Sequence, residues 1–395
     1  MTDRLYYDDP YVREFDARVI RVEPVDGRSC VTLDRTAFYP TSGGQPFDTG
    51  TLNTCRVIDV EELGDGTMVH VVEGAIREGE LVRGRIDWPR RFDHMQQHTG
   101  QHVLSASCDG LLKARTESFH LGAASATIDL SREVSAVEIE EAEADANRVV
   151  WENLPVSIRY ADAAEAARMP LRKASSREGV LRLIDVENHD ISACGGTHVS
   201  RTGAIGIIAV ASWEKFRAGT RIEFMCGGRT LAALHALRDT SAASVRLLSV
   251  LPAELPAAIE RLQGETKASR HRIRDLQGQL AMREADALAS SEAESRLVIR
   301  VLDGWDQPGL KSIASAICTR EGFTAVLIGA PAPSAVVIAR APGATADASA
   351  LMRQLTERFG GKGGGRRELA QGGGLQGDPS LIAAFARSLL STGQA

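Results

Sequence analysis

From residue 15 to 87 apolar and polar positions alternate in short runs, ARVIRVEPVDGRSCVTLDRTAFYP, TLNTCRVIDVEELGDGTMVHVVEG and GELVRGRID, broken at Asp-Gly and Gly-Asp pairs. A two-residue period punctuated by such turn signals predicts hairpins that close into a small barrel. From Trp88 to Leu112 the spacing lengthens to helical intervals, with Met95, His98, His102, Leu104 and Leu111 in a run free of proline after Pro89. That pattern predicts a buried helix. Next, SFHLGAASATIDL reads as strand and SAVEIEEAEADANRVVWENL as an amphipathic helix capped by Ser135, with Glu138 three residues on. VSIRYA, VLRLIDV, GAIGIIAVASWEKF and RIEFMC add strands, so residues 91–235 read as an α+β domain.

Strand signals then vanish. Residues 236–294 form a polar helical segment with Leu248, Leu251, Leu255, Ile259, Leu262, Ile273, Leu276 and Leu280 at three-and-four spacing. Pro252 and Pro256 interrupt any continuous heptad near its start, which favours a helical spacer packed on a neighbour over a dimeric coiled coil. Residues 295–395 alternate strand (RLVIRVLD), helix (LKSIASAICTRE), two strands, helix (ADASALMRQLTERF), a glycine-rich stretch and a last helix, a separate α/β domain. The predicted chain is α+β, with domains at 1–90, 91–235, 236–294 and 295–395.

Composition changes this picture little. The chain has 395 residues, 43% hydrophobic and 25% charged, enough for two or three globular domains. No run of about 18 apolar residues occurs and the N-terminus is acidic and polar, so neither a membrane span nor a secretory signal is predicted and a cytoplasmic location is expected. Six scattered cysteines do not make a disulfide framework; most read as small buried residues, and a special one reads as a metal ligand or nucleophile. The net charge of −6 is the opposite of a whole-surface nucleic-acid footprint, though a local basic groove is compatible with it.

The strongest local chemistry is His98-Thr-Gly-Gln-His102 on the predicted helix and Cys194-Gly-Gly-Thr-His198 about 95 residues later. Positions four apart share a helix face, so His98 and His102 can present two imidazoles to one ion, and Cys194 and His198 can supply two further ligands. A Cys/His set suits zinc, and the lack of a carboxylate argues against magnesium or calcium. Either motif alone is weak; together in one domain they predict one Zn2+ per chain.

These motifs are recognisable. His98-Thr-Gly-Gln-His102-Val-Leu, Cys194-Gly-Gly-Thr-His198-Val with Gly203, Ile205 and Gly206, and Thr36-Ala-Phe-Tyr-Pro with Gly43-Gly44-Gln45 resemble the editing domain of alanyl-tRNA synthetases and their free-standing AlaX relatives. Ser118-Phe-His-Leu-Gly122, Thr127-Ile-Asp129 and Arg221-Ile-Glu-Phe224 are similar to the same family, and Gly360 to Arg366 with Ala370 to Gly374 resemble its DHHA1-type C-terminal domain. The resemblance implies the long AlaX form: a trans-editing deacylase for tRNA(Ala) mischarged with serine, or second with glycine. It also implies the threonyl/alanyl second-additional-domain fold for the editing domain, and a homodimer through the C-terminal region. Only about 90 residues precede the histidine motif, so aminoacylation is not expected.

Ester hydrolysis at the tRNA terminus needs a water nucleophile and stabilisation of the oxyanion. Zinc in such a site would generate hydroxide, polarise the carbonyl or hold the aminoacyl end, and four protein ligands favour the holding role. His120 and Asp129 are candidates for positioning water; a strand histidine and a turn aspartate are the plain alternatives. Thr36 is the candidate reader of the serine hydroxyl, since a site built to bond a hydroxyl rejects its absence by ~10⁴–10⁵; a satisfied strand hydroxyl is the alternative. Asp190 is a candidate partner for a zinc-bound histidine, or a loop carboxylate. Ser42 stands where the family usually has another glycine, but Gly43, Gly44 and Gln45 still permit positive φ and contact with the RNA end, or make a tight turn. Arg90, Arg91, Lys215, Arg217, Arg221, Lys362, Arg366 and Arg367 are candidate phosphate contacts. The Gly360–Gly365 run lacks the Lys-Ser/Thr of a phosphate loop, so ATP binding is not predicted. Two rivals remain: a non-catalytic zinc-containing module that binds tRNA or dimerises, and a zinc hydrolase of small esters or amides.

Overall fold

A computed structural model describes residues 2–25, 28–172 and 179–392; the Asp26-Gly27 turn signal lies outside them. The chain divides into two compact units, Met1–Ala243 and Ser244–Ala395.

In the first unit the alternating runs form a closed barrel, in the order Glu14–Val25, Arg28–Leu33, Met68–Glu73, Cys55–Glu62, Gly50–Leu52 and Leu81–Ile86. Along Leu81–Ile86 every second residue is buried, as a period of two requires when one face lines an interior. Val31, Leu33, Phe38, Leu52, Val60, Val72 and Val82 fill that interior.

Asp87 caps the helix Trp88–Leu112 by accepting from Arg90 N, Pro89 sits in its first turn, and Lys113 ends it in the left-handed region at φ 55°. These bounds match the sequence reading because N-cap, proline and apolar period agree. The helix packs on Ala136–Glu152 and on a four-stranded sheet ordered Ile208–Phe216, Gly219–Cys226, Ala126–Leu130, Thr116–Leu121. The single strand expected at SFHLGAASATIDL is thus a hairpin. A three-stranded sheet ordered Val156–Ala161, Leu181–Val186, Asp190–Ala193 leads into Cys194. Its four-residue last strand is too short to show a period.

Arg91 joins barrel to helix. It is fully buried, its guanidinium bonds Asp48 through Nε (2.9 Å) and Nη2, and it also reaches the carbonyls of Pro10 (2.9 Å) and Ala37 (2.5 Å). The expectation that Arg91 contacts RNA is corrected: its donors are spent inside the protein and it presents nothing to solvent.

In the second unit the long helix Leu255–Ser291 leads to a sheet ordered Leu297–Asp303, Thr324–Ala330, Ser334–Arg340, Leu369–Leu375, Lys362–Gly365. The first pair is parallel and the others antiparallel. The glycine-rich stretch, given no element by its sequence, is a two-stranded ribbon at the sheet edge; backbone pairing sustains it where side chains give no strand signal. Among the described residues no single helix is long and apolar enough to cross a membrane.

Candidate metal centre

The ligand atoms of His98, His102, Cys194 and His198 all lie within 4.8 Å of one another. His98 and His102 are one helical turn apart on the buried face of Trp88–Leu112. Cys194 and His198 bracket the turn after the Asp190–Ala193 strand. That turn must pass close beneath His98, and Gly196 permits it: a Cβ there would fall 2.2 Å from His98 Cε1.

Each imidazole is oriented by a bond through Nδ1. His98 donates to Gln45 Oε1 (2.8 Å), His102 to Asp190 Oδ2 (3.1 Å), and His198 pairs with the Thr99 hydroxyl (3.2 Å). The Nε2 atoms are therefore turned to the centre, where Cys194 Sγ lies 3.4 Å from that of His98 and 3.3 Å from that of His198. Two ligands at zinc bond lengths of ~2.3 Å (S) and ~2.1 Å (N) and a tetrahedral angle stand about 3.6 Å apart, so the donors fit zinc in kind and in spacing. Gln45 also donates to the Thr197 hydroxyl and accepts from Thr197 N, and Asp190 also pairs with Arg172.

The charges suit a thiolate among imidazoles. Burial would raise the Cys194 thiol, yet His98 and His198 outweigh it and hold the group well below its ordinary value. Burial likewise would lower His102, but the Asp190 carboxylate and the Cys194 sulfur raise it to about 9. Burial dominates at His198 and lowers it to about 3. A proton on His102 and a metal ion are alternatives, since ligation needs the neutral ring.

The centre is reachable from outside. His98 and Cys194 form part of the wall of a cavity of about 190 Å³, with Arg4, Tyr7, Tyr39, Ser42 and Gly43 among its other walls. The Ser42–Gln45 turn is closed by two reciprocal backbone bonds (3.1 and 2.9 Å), with Gly43 at φ 56° and Gly44 at φ 86°. Positive φ at both central residues is what a two-residue turn of this hand demands, and glycine supplies it without strain.

Residues 11–90 match the family described as tRNA synthetases class II (A), residues 181–223 the threonyl and alanyl tRNA synthetase second additional domain, and residues 294–391 the DHHA1 domain. The alanyl-tRNA editing protein AlaX-L of Pyrococcus horikoshii is 32% identical over 387 residues, which is 94% of each chain. The chain belongs to the alanyl-tRNA editing protein family. Alanine–tRNA ligases of Pyrococcus abyssi and Natronomonas pharaonis are 33% and 35% identical over 94% of this chain, which spans only 42% of their length.

Within this editing-family fold, the other expected site residues scatter. Thr36 is fully buried in the barrel; its hydroxyl pairs with His70 Nε2 (2.8 Å) and accepts from Phe38 N (3.1 Å). Burial holds His70 neutral, lowering it to about 4, and its Nδ1 faces Val31 O, so Thr36 is the donor in that bond. The hydroxyl expected to read substrate is thus already satisfied. Asp129 and Arg221, expected in different roles, form a two-point ion pair (2.7 and 2.9 Å), with Ser118 as a third partner. Arg221, foremost, holds the Asp129 carboxyl below its usual range. His120 is exposed on the neighbouring strand, although Phe119 beside it packs its ring 5.3 Å from that of His98. Arg90 bonds Phe47 O (3.0 Å), and Lys215 pairs with Glu133. Arg217 stacks near the Phe216 ring, and Lys362, Arg366 and Arg367 are exposed in the second unit.

The sequence missed Arg4, Tyr7, Thr99, Arg172 and Arg182. Arg182 donates to the carbonyls of Cys194 (2.7 Å) and Gly196 (3.0 Å), and to Tyr7 O (2.8 Å), so it fixes both the ligand turn and the N-terminal segment beside it. The one visible hint was the tyrosine pair in LYYDDPY, which follows no strand or helix period.

Proposed function

We propose that this chain is a trans-acting aminoacyl-tRNA hydrolase that deacylates tRNA(Ala) mischarged with serine first and glycine second. One observation carries the reading: the Cys/His cluster opens into a cavity of about 190 Å³ instead of being sealed in the core. A purely structural site needs no such cavity, whereas one that handles substrate must give the aminoacyl end a way to its residues. The volume is below the ~300–1,000 Å³ of pockets that take drug-sized ligands, and suits a single aminoacyl end.

Zinc bound by His98, His102, Cys194 and His198 would supply positive charge that fixes or polarises the aminoacyl ester. Gln45, Asp190 and Thr99 hold the three rings in place, and Arg182 shapes the turn that carries Cys194. With Thr36 satisfied inside the barrel, discrimination of serine falls to the cavity wall, where Ser42 brings a hydroxyl. Aminoacylation is no part of this reading, because the stretch that matches the class II (A) family folds as the closed barrel.

Lys362, Arg366 and Arg367 are the exposed cations we assign to the tRNA body, and a cytoplasmic location follows from such a substrate. The stripe of Ile259, Leu262, Ile273, Leu276 and Leu280 on the long helix is 42–56% exposed and suits a second copy of the chain. Sedimentation of the intact protein is expected to give a dimer that Ile273→Asp with Leu276→Asp converts to monomer; an unaltered mass would refute this pairing. The function itself is tested by release of serine, glycine and alanine from their tRNA(Ala) esters. A scaffold with structural zinc, which the full ligand set also allows, would bind tRNA and release none.

A further inference from the structure

The cavity that His98 and Cys194 line also holds a hydroxyl with no described acceptor for its proton. Tyr7 Oη accepts a hydrogen bond from Arg4 Nη1 at 2.9 Å. Arg4 is in turn held by Glu62 Oε1 (2.6 Å) and Gly66 O (3.3 Å), so the guanidinium stays in place against the phenol oxygen. The phenol is fixed as well. Arg182 Nε donates to Tyr7 O, the Arg182 and Arg4 guanidinium carbons each lie 5.2 Å from the ring centre, and Tyr6 meets the ring edge-on at 5.2 Å. A Cβ built on Gly195 would stand 3.4 Å from Tyr7 Oη, which places the hydroxyl directly over the turn between Cys194 and Gly196. Tyr7, Arg4, His98 and Cys194 all line the one cavity.

We infer that Tyr7 is a catalytic residue, its Oη–H donating a hydrogen bond to the oxyanion that forms on the substrate ester, with Arg4 polarising that donor through its bond to the phenol oxygen. The inference rests on the deacylase reading above. In the reaction, water adds its oxygen to the ester carbonyl carbon and gives up a proton while the carbonyl π pair moves onto oxygen. Collapse restores the carbonyl and expels the ribose oxygen, which takes up a proton, leaving the free amino acid and a tRNA with its terminal hydroxyl. Tyr7 transfers no proton in this scheme. It stabilises the charge that appears and disappears on the carbonyl oxygen, and a preorganised donor of that kind typically contributes ~10²–10³ in kcat. A cation bonded to the phenol oxygen withdraws electron density from it and strengthens donation.

The group acts on the ester, which every substrate shares, and not on the amino-acid side chain. The test is steady-state hydrolysis of Ser-tRNA(Ala) and Gly-tRNA(Ala) by the zinc-loaded intact protein and its Tyr7→Phe variant, with bound zinc and melting temperature measured on both. Expected is a roughly 100-fold loss of kcat, alike for the two substrates, with KM, zinc content and melting temperature little changed. Arg4→Gln, which leaves the phenol but removes the cation, is expected to give a smaller kcat loss of the same substrate-independent kind. Retention of kcat within twofold in Tyr7→Phe would overturn the inference, as would a loss confined to Ser-tRNA(Ala), which would make Tyr7 a side-chain reader. Loss of zinc or fold in Tyr7→Phe, with Arg4→Gln fully active, would make it a structural residue. Inert wild-type protein would instead sink the deacylase reading, and this inference with it.

Discussion

Cys194→Ala is expected to strip the metal from the protein and to reduce hydrolysis of Ser-tRNA(Ala) to the rate in buffer. The sulfur is the one anionic donor in the set, and its thiolate state is already favoured by His98 and His198 around it. Without it three imidazoles remain, each still oriented through Nδ1, but the ion loses the ligand that neutralises most of its charge. Altering a residue that merely orients a ligand typically costs 10–100-fold in metal affinity, so loss of a ligand exceeds that. Metal analysis of the gel-filtered variant checks it: about one zinc per chain is expected in the wild type and almost none in Cys194→Ala. A variant that kept both its zinc and its turnover would remove Cys194 from the centre.

Arg91→Ala is expected to destabilise the first unit by about 3–5 kcal/mol, because it breaks a buried ion pair and leaves Asp48 charged without its partner. The penalty is compounded by geometry. Asp48 Oδ1 already has no bonding partner, and the carbonyls of Pro10 and Ala37 would lose their donor. For a unit of this size the melting temperature should fall by roughly 10 °C. Asp48→Asn with Arg91→Met, which removes both charges, should recover much of the loss. An arginine that touched RNA from the surface would behave oppositely, leaving the melting temperature alone and weakening tRNA binding, and calorimetry beside a binding titration separates the two.

What could be read from the sequence was whatever has a short period or a local cap. Alternation gave the barrel, and the change to helical spacing from Trp88, with no proline after Pro89, gave the histidine helix to the residue. The cluster of His98, His102, Cys194 and His198 was legible because each pair lies four residues apart, one on a helix face and the other round a turn. Failures came where a side chain's partner is remote in sequence. Thr36 meets His70 34 residues on, Asp129 meets Arg221 after 92, and Arg91 meets Asp48 across 43. No window of sequence reveals that those groups are already satisfied. Tyr7 and Arg4 went unread for the converse reason: the two-residue strand and single helical turn that hold them are too short for any pattern, and only the assembled barrel makes them a cavity wall.

Most directly decisive is the release of amino acid from Ser-tRNA(Ala), Gly-tRNA(Ala) and Ala-tRNA(Ala) by the zinc-loaded protein, measured beside Cys194→Ala and beside the same esters on a terminal minihelix lacking the tRNA body. The account predicts rapid loss of serine, slower loss of glycine, alanine spared, no activity in the variant, and slower turnover on the minihelix. Release of alanine as fast as serine would contradict a proofreading role. Zinc-loaded protein that bound the tRNA and released nothing above buffer would make the chain a scaffold.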